Sequence, residues 1–242
     1  MKKISFYLLA SLVLGIAANA QQKAKPAVNQ FADFTLGIGS SQGSAALAYV
    51  HNWKLFKKQK WEAGVGVRFT SYFSSDKYYR TAPAKLTSGK SGPAVFFADD
   101  IVQNLDSVFF PKAQVNSLNI SLNFGYNFTP KFSLGFNIDA IGFSFGGSKN
   151  GTHINGNTTK PTTAKPTAFN LLLVSDNDLG SLNSELFAKY QFNKKWGAKL
   201  GFEFLFTEYK TATEVQTTPD GQKNDRFRNK VSALALGISY QL

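Results

Sequence analysis

Side chains that usually do chemistry are scarce in this 242-residue chain, which has two histidines, no cysteine and one methionine. His153 lies in a Gly-, Asn- and Thr-rich stretch with no neighbouring acid to orient it. His51 falls on the apolar phase of an alternating segment. A Ser-His-acid nucleophile needs three groups that converge, and nothing local to either histidine supplies them. Two distant histidines without a cysteine also fall short of a zinc ligand set. Gly64 and Gly66 sit mid-segment rather than in a phosphate-binding G-x-x-x-x-G-K-[ST] loop. The adjacent Asp99 and Asp100 read as a solvated loop pair. No catalytic, cofactor or metal residue is assigned, and a lipid-modifying activity ranks last among the functions considered.

The remaining charges follow a pattern. Glu62, Arg68, Asp139, Glu185, Lys189, Lys199 and Glu203 fall on the polar phase of segments whose other phase is bulky and apolar. Period-2 alternation marks half-buried strands. It is clearest over Trp61 to Tyr72, where Trp61, Ala63, Val65, Val67 and Phe69 oppose Glu62, Gly64, Gly66, Arg68 and Thr70. Leu118 to Phe128 and Phe132 to Ala140 repeat it, and the phase then slips to Ile141, Phe143 and Phe145, as a β-bulge would cause. Leu182 to Phe192, Trp196 to Thr207 and Leu234 to Leu242 continue the pattern. Phe34, Leu36 and Ile38 mark a first strand, and Leu47, Tyr49 and Trp53 a second, which makes eight.

Tight turns are expected at Lys54–Lys60, Thr129–Lys131 and Asn193–Lys195, and long loops at about 74–115, 146–180 and 208–230. The N-terminus carries its own signal. Lys2 and Lys3 precede an apolar run from Ile4 to Ile16 and a small-x-small site, Ala18-Asn19-Ala20. That run falls short of the roughly 20 apolar residues a spanning helix needs. It reads as a cleaved signal peptide over 1–20, followed by a linker at 21–30 and one domain at 31–242. The +12 net charge, about +10 without Lys2 and Lys3, reads as contact with anionic head groups; export argues against nucleic acid.

The turns resemble one another. Tyr126-Asn-Phe128-Thr-Pro-Lys131-Phe132 matches Tyr190-Gln-Phe192-Asn-Lys-Lys195-Trp196 in spacing, and Trp53 and Trp61 flank the third turn. With these features the chain resembles the outer-membrane β-barrel family of small Gram-negative surface proteins, over about 31–242. The resemblance implies an all-β fold: a closed antiparallel transmembrane barrel of eight strands, short periplasmic turns and long external loops. It implies a monomer in the cell outer membrane, inserted by the barrel-assembly machinery. One departure is the end, Tyr240-Gln241-Leu242, where the family's terminal aromatic stands two places early. Trp53, Trp61, Tyr126, Phe128, Phe132, Tyr190, Phe192, Trp196 and Tyr240 would form the periplasmic aromatic girdle.

A soluble eight-stranded barrel is the competing arrangement. It would bury the bulky phase, but an interior of eight strands has room only for side chains, and the polar phase holds the small residues: Gly64, Gly66, Gly125, Gly135, Gly197 and Gly201. The lipid-exposed arrangement fits better. Facing Phe192 with Trp196 sets Lys189 opposite Lys199 and Glu185 opposite Glu203, an unfavourable register unless partners come from diagonals or across the lumen. A mixed-sign network plugging the lumen is expected; a solvated narrow pore is the alternative.

In the loops, Phe97, Ile101, Leu105 and Val108 recur at helical spacing before Pro111 and predict a short amphipathic helix. Asn170 to Val174 is expected to lengthen neighbouring strands or form an extra hairpin, which leaves eight versus ten strands open. Lys149 to Pro166 reads as a mobile tip. Asp106-Ser107-Val108 resembles an O-glycosylation acceptor. Lys223, Arg226, Arg228 and Lys230 could bind lipopolysaccharide phosphates. The expected role is structural or interaction-based, in envelope integrity, adhesion or partner binding, with a narrow solute channel as the alternative.

Overall fold

The computed structural model describes residues 27–90, 97–173, 177–213 and 215–242. The expected signal peptide and most of the linker lie outside the described residues. Eight long antiparallel strands carry the fold: β1 (Val28–Gly39), β2 (Gln42–Leu55), β3 (Trp61–Thr81), β4 (Ser107–Asn127), β5 (Phe132–Phe145), β9 (Leu182–Gln191), β10 (Trp196–Thr211) and β13 (Arg226–Gln241). Each hydrogen-bonds to the next, and β13 returns to β1 through pairs such as Phe34↔Ile238, so the sheet closes into a ring. β1 opens at Val28, paired with Trp53, slightly before the expected boundary. The three tight turns join β2 to β3, β4 to β5 and β9 to β10 at one end of the ring. Ala140 is an extra residue in β5, since Ile120 faces Ile141 while Ser121 faces Asp139, and this bulge produces the phase slip seen in the sequence.

The two faces of this ring are inverted relative to a soluble protein. Leu47, Ile120, Phe143, Leu200 and Phe202 point outward and are about half exposed. Asp33, Arg68, Asn119, Asp139, Glu185, Lys199 and Glu203 point inward and are buried. An interior so narrow takes small side chains beside the charged ones. Phe31 and Phe187 are larger; the Phe187 ring lies where a Cβ on Gly135 would stand only 2.4 Å from Cζ, and a Cβ on Gly201 only 2.8 Å from its own Cβ.

The long-loop end is a second, narrower ring. The β1–β2 hairpin is short, so above it β13 meets β3 directly, Phe227↔Thr81 and Arg228↔Arg80. β5 and β9 also stop, and a hairpin of β6 (Lys149–Asn155) and β7 (Thr158–Pro166) takes their place between β4 and β10. β3, β4, β6, β7, β10 and β13 thus close again. The expected mobile tip at Lys149 to Pro166 is therefore this ordered hairpin: without it, β4 and β10 would end in unpaired edges. Within this narrower ring the polarity returns to that of a soluble core, with Tyr79, Val108, Phe110, Tyr209 and Phe227 fully buried.

The expected amphipathic helix through Phe97, Ile101, Leu105 and Val108 does not form. A one-turn 3-10 segment, Val102–Asn104, stands there, and a short α1 (Ala84–Ser88) precedes it. Val108 belongs to β4, facing Tyr79 of β3 and buried in the upper core. Strand pairing to a distant segment overrides the local helical spacing. β8 (Phe169–Leu171) pairs with the upper end of β5, Ile141↔Leu171, so the Asn170 stretch adds a short strand beside the ring and leaves its count at eight. No helix among the described residues is long and apolar enough to cross a membrane, which says nothing of strands. β11 (Gln216–Thr217) and β12 (Lys223–Asn224) form a separate small hairpin in the last loop.

Candidate functional site

The inward-facing charges are brought together inside the eight-stranded ring. The β9–β10 register does place Lys189 opposite Lys199 and Glu185 opposite Glu203. Like charges face each other across that pair, and each finds its partner elsewhere. Lys199 Nζ reaches diagonally to Glu185 Oε2 at 2.7 Å. Arg68 crosses the lumen to Asp139 Oδ1 at 2.6 Å and approaches Glu185 Oε2 at 3.5 Å. Asp139 also accepts from Asn119 Nδ2 at 2.7 Å and the Asn183 amide at 2.9 Å. Glu203 accepts from Ser44 Oγ at 2.8 Å and Asn183 Nδ2 at 2.6 Å. Glu62 stands apart near the tight-turn end, held by Asn29 and Asn127 at 2.8 and 2.7 Å. Removal from water is costly for a charge without partners; Arg68, Asp139, Glu185 and Lys199 are both ion-paired and hydrogen-bonded, whereas Glu203 and Glu62 are met by neutral Ser and Asn donors.

Asp33 is the central residue that sequence reasoning passed over. Its carboxylate meets Lys189 at 3.2 Å and Lys199 at 3.6 Å, bridging two lysines that the register sets against each other. The signal was present: Asp33 lies on the phase opposite Phe34, Leu36 and Ile38. Lys189 also donates to Ser239 Oγ at 2.9 Å and sits 3.3 Å from the centroid of the Phe31 ring. Together Lys189, Phe31 and Phe187 floor a cup of about 850 Å³ that opens between the tight turns. Above the ion network, the upper core closes the other end of the lumen. There Tyr79 meets Phe110 edge-on at 5.2 Å and Tyr209 at 5.3 Å, and Tyr209 Oη donates to the Gln114 carbonyl at 2.8 Å. Burial raises the Tyr209 hydroxyl to about 12 and lifts that of Tyr79 well above its ordinary value.

The nine aromatic residues picked from the turns gather at the tight-turn end. Trp61 and Tyr126, Tyr126 and Phe128, and Trp196 and Tyr240 each stack edge-on at 4.8 Å. Phe128 lies 5.7 Å from Phe132, and Tyr190 lies 6.0 Å from Phe192. Trp53 packs edge-on against His51 at 4.9 Å, whose Nδ1 is 2.8 Å from Gln30 Nε2.

His153 does have an acid, contrary to the sequence reading. Asp106 Oδ2 lies 3.0 Å from its Nε2, and both residues are buried in the narrower ring. They are far apart in the chain and joined only by the β4–β6 pairing, Val108↔His153. Burial raises the Asp106 carboxyl, against the pull of His153 and Asn155. This also corrects the acceptor reading of Asp106-Ser107-Val108: Asp106 is 4% exposed and Ser107 is inside a paired strand. Among the described residues no group of three or more His, Cys, Asp or Glu could hold a metal ion.

The four basic residues of the last loop divide. Arg226 and Arg228 both grip the buried Glu208, at 2.8 and 2.9 Å, and donate to the Asp178 carbonyl. Their guanidinium groups are engaged inside the extension, a correction to their expected role as phosphate ligands. Lys223 and Lys230 are exposed.

No family model matches the chain, and no curated protein matches it. Solved structures do match across most of its length. A major outer membrane protein from Thermus thermophilus aligns at 13% identity and TM-score 0.39, covering 89% of this chain and 100% of that one. Neisserial surface protein A aligns at 9% identity and TM-score 0.35, covering 89% and 96%. Ail, the attachment invasion locus protein of Yersinia pestis, aligns at 9% identity and TM-score 0.33, covering 89% and 95%. The superposition is loose in each case, and the description of the ring rests on this chain's own hydrogen bonds. The solved structures it is similar to are outer-membrane β-barrel proteins.

Proposed function

We propose that this chain is a monomeric integral outer-membrane barrel that carries no pore and presents a rigid external extension for surface interactions. One observation carries the reading: the eight-stranded ring exposes a belt of large apolar side chains and buries an ion network. Water would favour the reverse, whereas lipid favours apolar residues outside and a closed ring with no unpaired edge. Short turns then face the periplasm, with both chain ends, and the narrower ring stands outside. Insertion falls to the barrel-assembly machinery, and Lys223 and Lys230 are placed to meet lipopolysaccharide phosphates.

The plug reading over the channel reading is supported by two successive obstructions, the network around Arg68 and the aromatic core around Tyr79. Catalysis has no support, because the His153–Asp106 pair is buried. The test is a gel of the outer-membrane fraction, run with and without boiling. A closed barrel keeps its fold in SDS until heated and then changes mobility. A protein found in the soluble fraction, without a shift, would sink the membrane reading. In planar bilayers the folded protein is expected to give no discrete conductance steps, and reproducible steps would restore the channel.

A further inference from the structure

The outer wall of the narrower ring carries aromatic surface that belongs neither to the upper core nor to the belt. Tyr78, Phe109, Thr152 and Pro161 are successive register partners across β3, β4, β6 and β7. Their strand neighbours Tyr79, Val108 and His153 are buried in the upper core, so alternation turns this row outward. Tyr78 is 58% exposed, and its ring centroid lies 5.0 Å from that of Phe109. Ser75, Asp76, Lys112, Gln114 and Asn116 separate the row from the apolar belt, whose last members on β3 and β4 are Phe73 and Leu118. The next outward row is Arg80, Ser107, Ile154 and Thr159. Arg80 stands opposite Arg228 in the β3–β13 pair; Glu208 holds Arg228, while Arg80 is exposed. Exposed apolar surface rimmed by polar residues marks an interaction site.

We propose that this wall is a platform for a phosphate-bearing saccharide chain of the surrounding outer leaflet. The Tyr78 and Phe109 rings and Pro161 take the C–H faces of sugar rings, and Ser107, Thr152, Thr159 and Arg80 take their hydroxyls and phosphates. Place argues for this class: a side wall faces what stands on the membrane around the barrel, not the medium above it. Chemistry argues for it too. Acyl chains stop at the polar layer below the row. An added peptide strand would need a free edge, but β3, β4, β6 and β7 are paired to one another here, and Pro161 offers no N–H. A ligand with apolar faces and hydroxyl edges fits a wall in which rings stand beside hydroxyls. The identity of the neighbours rests on the membrane orientation proposed above; the binding surface does not.

The test titrates the full folded chain in neutral detergent with the lipid-free core oligosaccharide of a rough lipopolysaccharide, as isolated and after removal of its phosphates, followed by saturation-transfer NMR. Saturable binding of both forms is expected, with transfer strongest to sugar-ring C–H protons. Tyr78→Ala should weaken both forms at least about five-fold. Arg80→Gln should weaken the phosphate-bearing form about three-fold and leave the dephosphorylated form unchanged. Phe97→Ala, at a ring that is 93% exposed but off the row, should bind like the parent. Unchanged binding by Tyr78→Ala, or full competition by inorganic phosphate, reduces the contact to a general anion effect and overturns the platform. Absence of saturable binding by a chain that still shifts on the unboiled gel overturns the saccharide site and leaves the membrane barrel standing. Absence of the gel shift itself overturns the orientation beneath it.

Discussion

Arg68 on β3 and Asp139 on β5 meet across β4, with the guanidinium Nη2 2.6 Å from Oδ1, although 71 residues separate them in the chain. Neither residue is more than 2% exposed at its side chain. A buried pair of this kind is a weak source of net stability, but its disruption is expensive because the surviving charge has no water. Arg68→Ala leaves Asp139 and Glu185 short of a cation and is expected to cost about 3–5 kcal/mol. Double replacement, Arg68→Met with Asp139→Leu, should cost less than the single change. Urea unfolding of vesicle-inserted protein, followed by tryptophan emission, measures both; equal losses would mean that Asp139 is compensated elsewhere.

Phe187 occupies space that glycines leave. Gly135→Ala puts a methyl into the Phe187 ring, since its Cβ would come within 2.4 Å of Cζ. Overpacking of this kind costs about 1–3 kcal/mol. Adding Phe187→Leu should recover part of the loss in the same unfolding assay. A Gly135→Ala variant as stable as the parent would show that the ring swings freely into the cup.

The outward face answers a different question. Ile120 is 49% exposed on the belt, near the height of the Ala140 bulge. In lipid, Ile120→Arg should cost about 2–4 kcal/mol, as arginine does near the bilayer midplane. Thr159→Arg on the exposed β6–β7 hairpin should stay within about 0.5 kcal/mol. Equal, small effects at the two positions would mean that Ile120 faces water.

The narrower ring has a signature at high pH. Tyr209 is buried and its hydroxyl bonds the backbone of Gln114, so its ionisation moves up to about 12. The unfolded tyrosine ionises near 10. The folded chain therefore holds the proton longer, and the stability this contributes is full below about pH 10 and falls as pH rises towards 12. Absorbance at 295 nm should show several late-titrating tyrosines, Tyr79 among them, and Tyr209→Phe should lower the late amplitude by one tyrosine. Titration of Tyr209 near pH 10 in intact protein would place the hydroxyl in water.

Short-range pattern along the chain sets the strands, the tight turns, the phase slip at Ile141 and the sorting of the seven lumen charges from the apolar face. Each of these follows from period-2 alternation and turn composition, which act over a few residues. The Lys189–Lys199 and Glu185–Glu203 register was also legible, because a tight turn sets it. Which partners relieve that register depends on closure of the ring. Asp33 reaches Lys189 and Lys199 from a strand more than 150 positions away, and a pairing across a lumen leaves no periodic mark on the chain. The Asp106–His153 contact rests on the β4–β6 pairing, and the engagement of Arg226 and Arg228 by Glu208 on the β10–β13 pairing, and neither register is set by a tight turn that the sequence displays. Ring closure also turned the expected mobile tip into a hairpin and drew Val108, the last residue of the expected loop helix, into β4: once β1, β2, β5 and β9 stop short, the longer strands have unpaired edges, and pairing them into a second ring outweighs local preference.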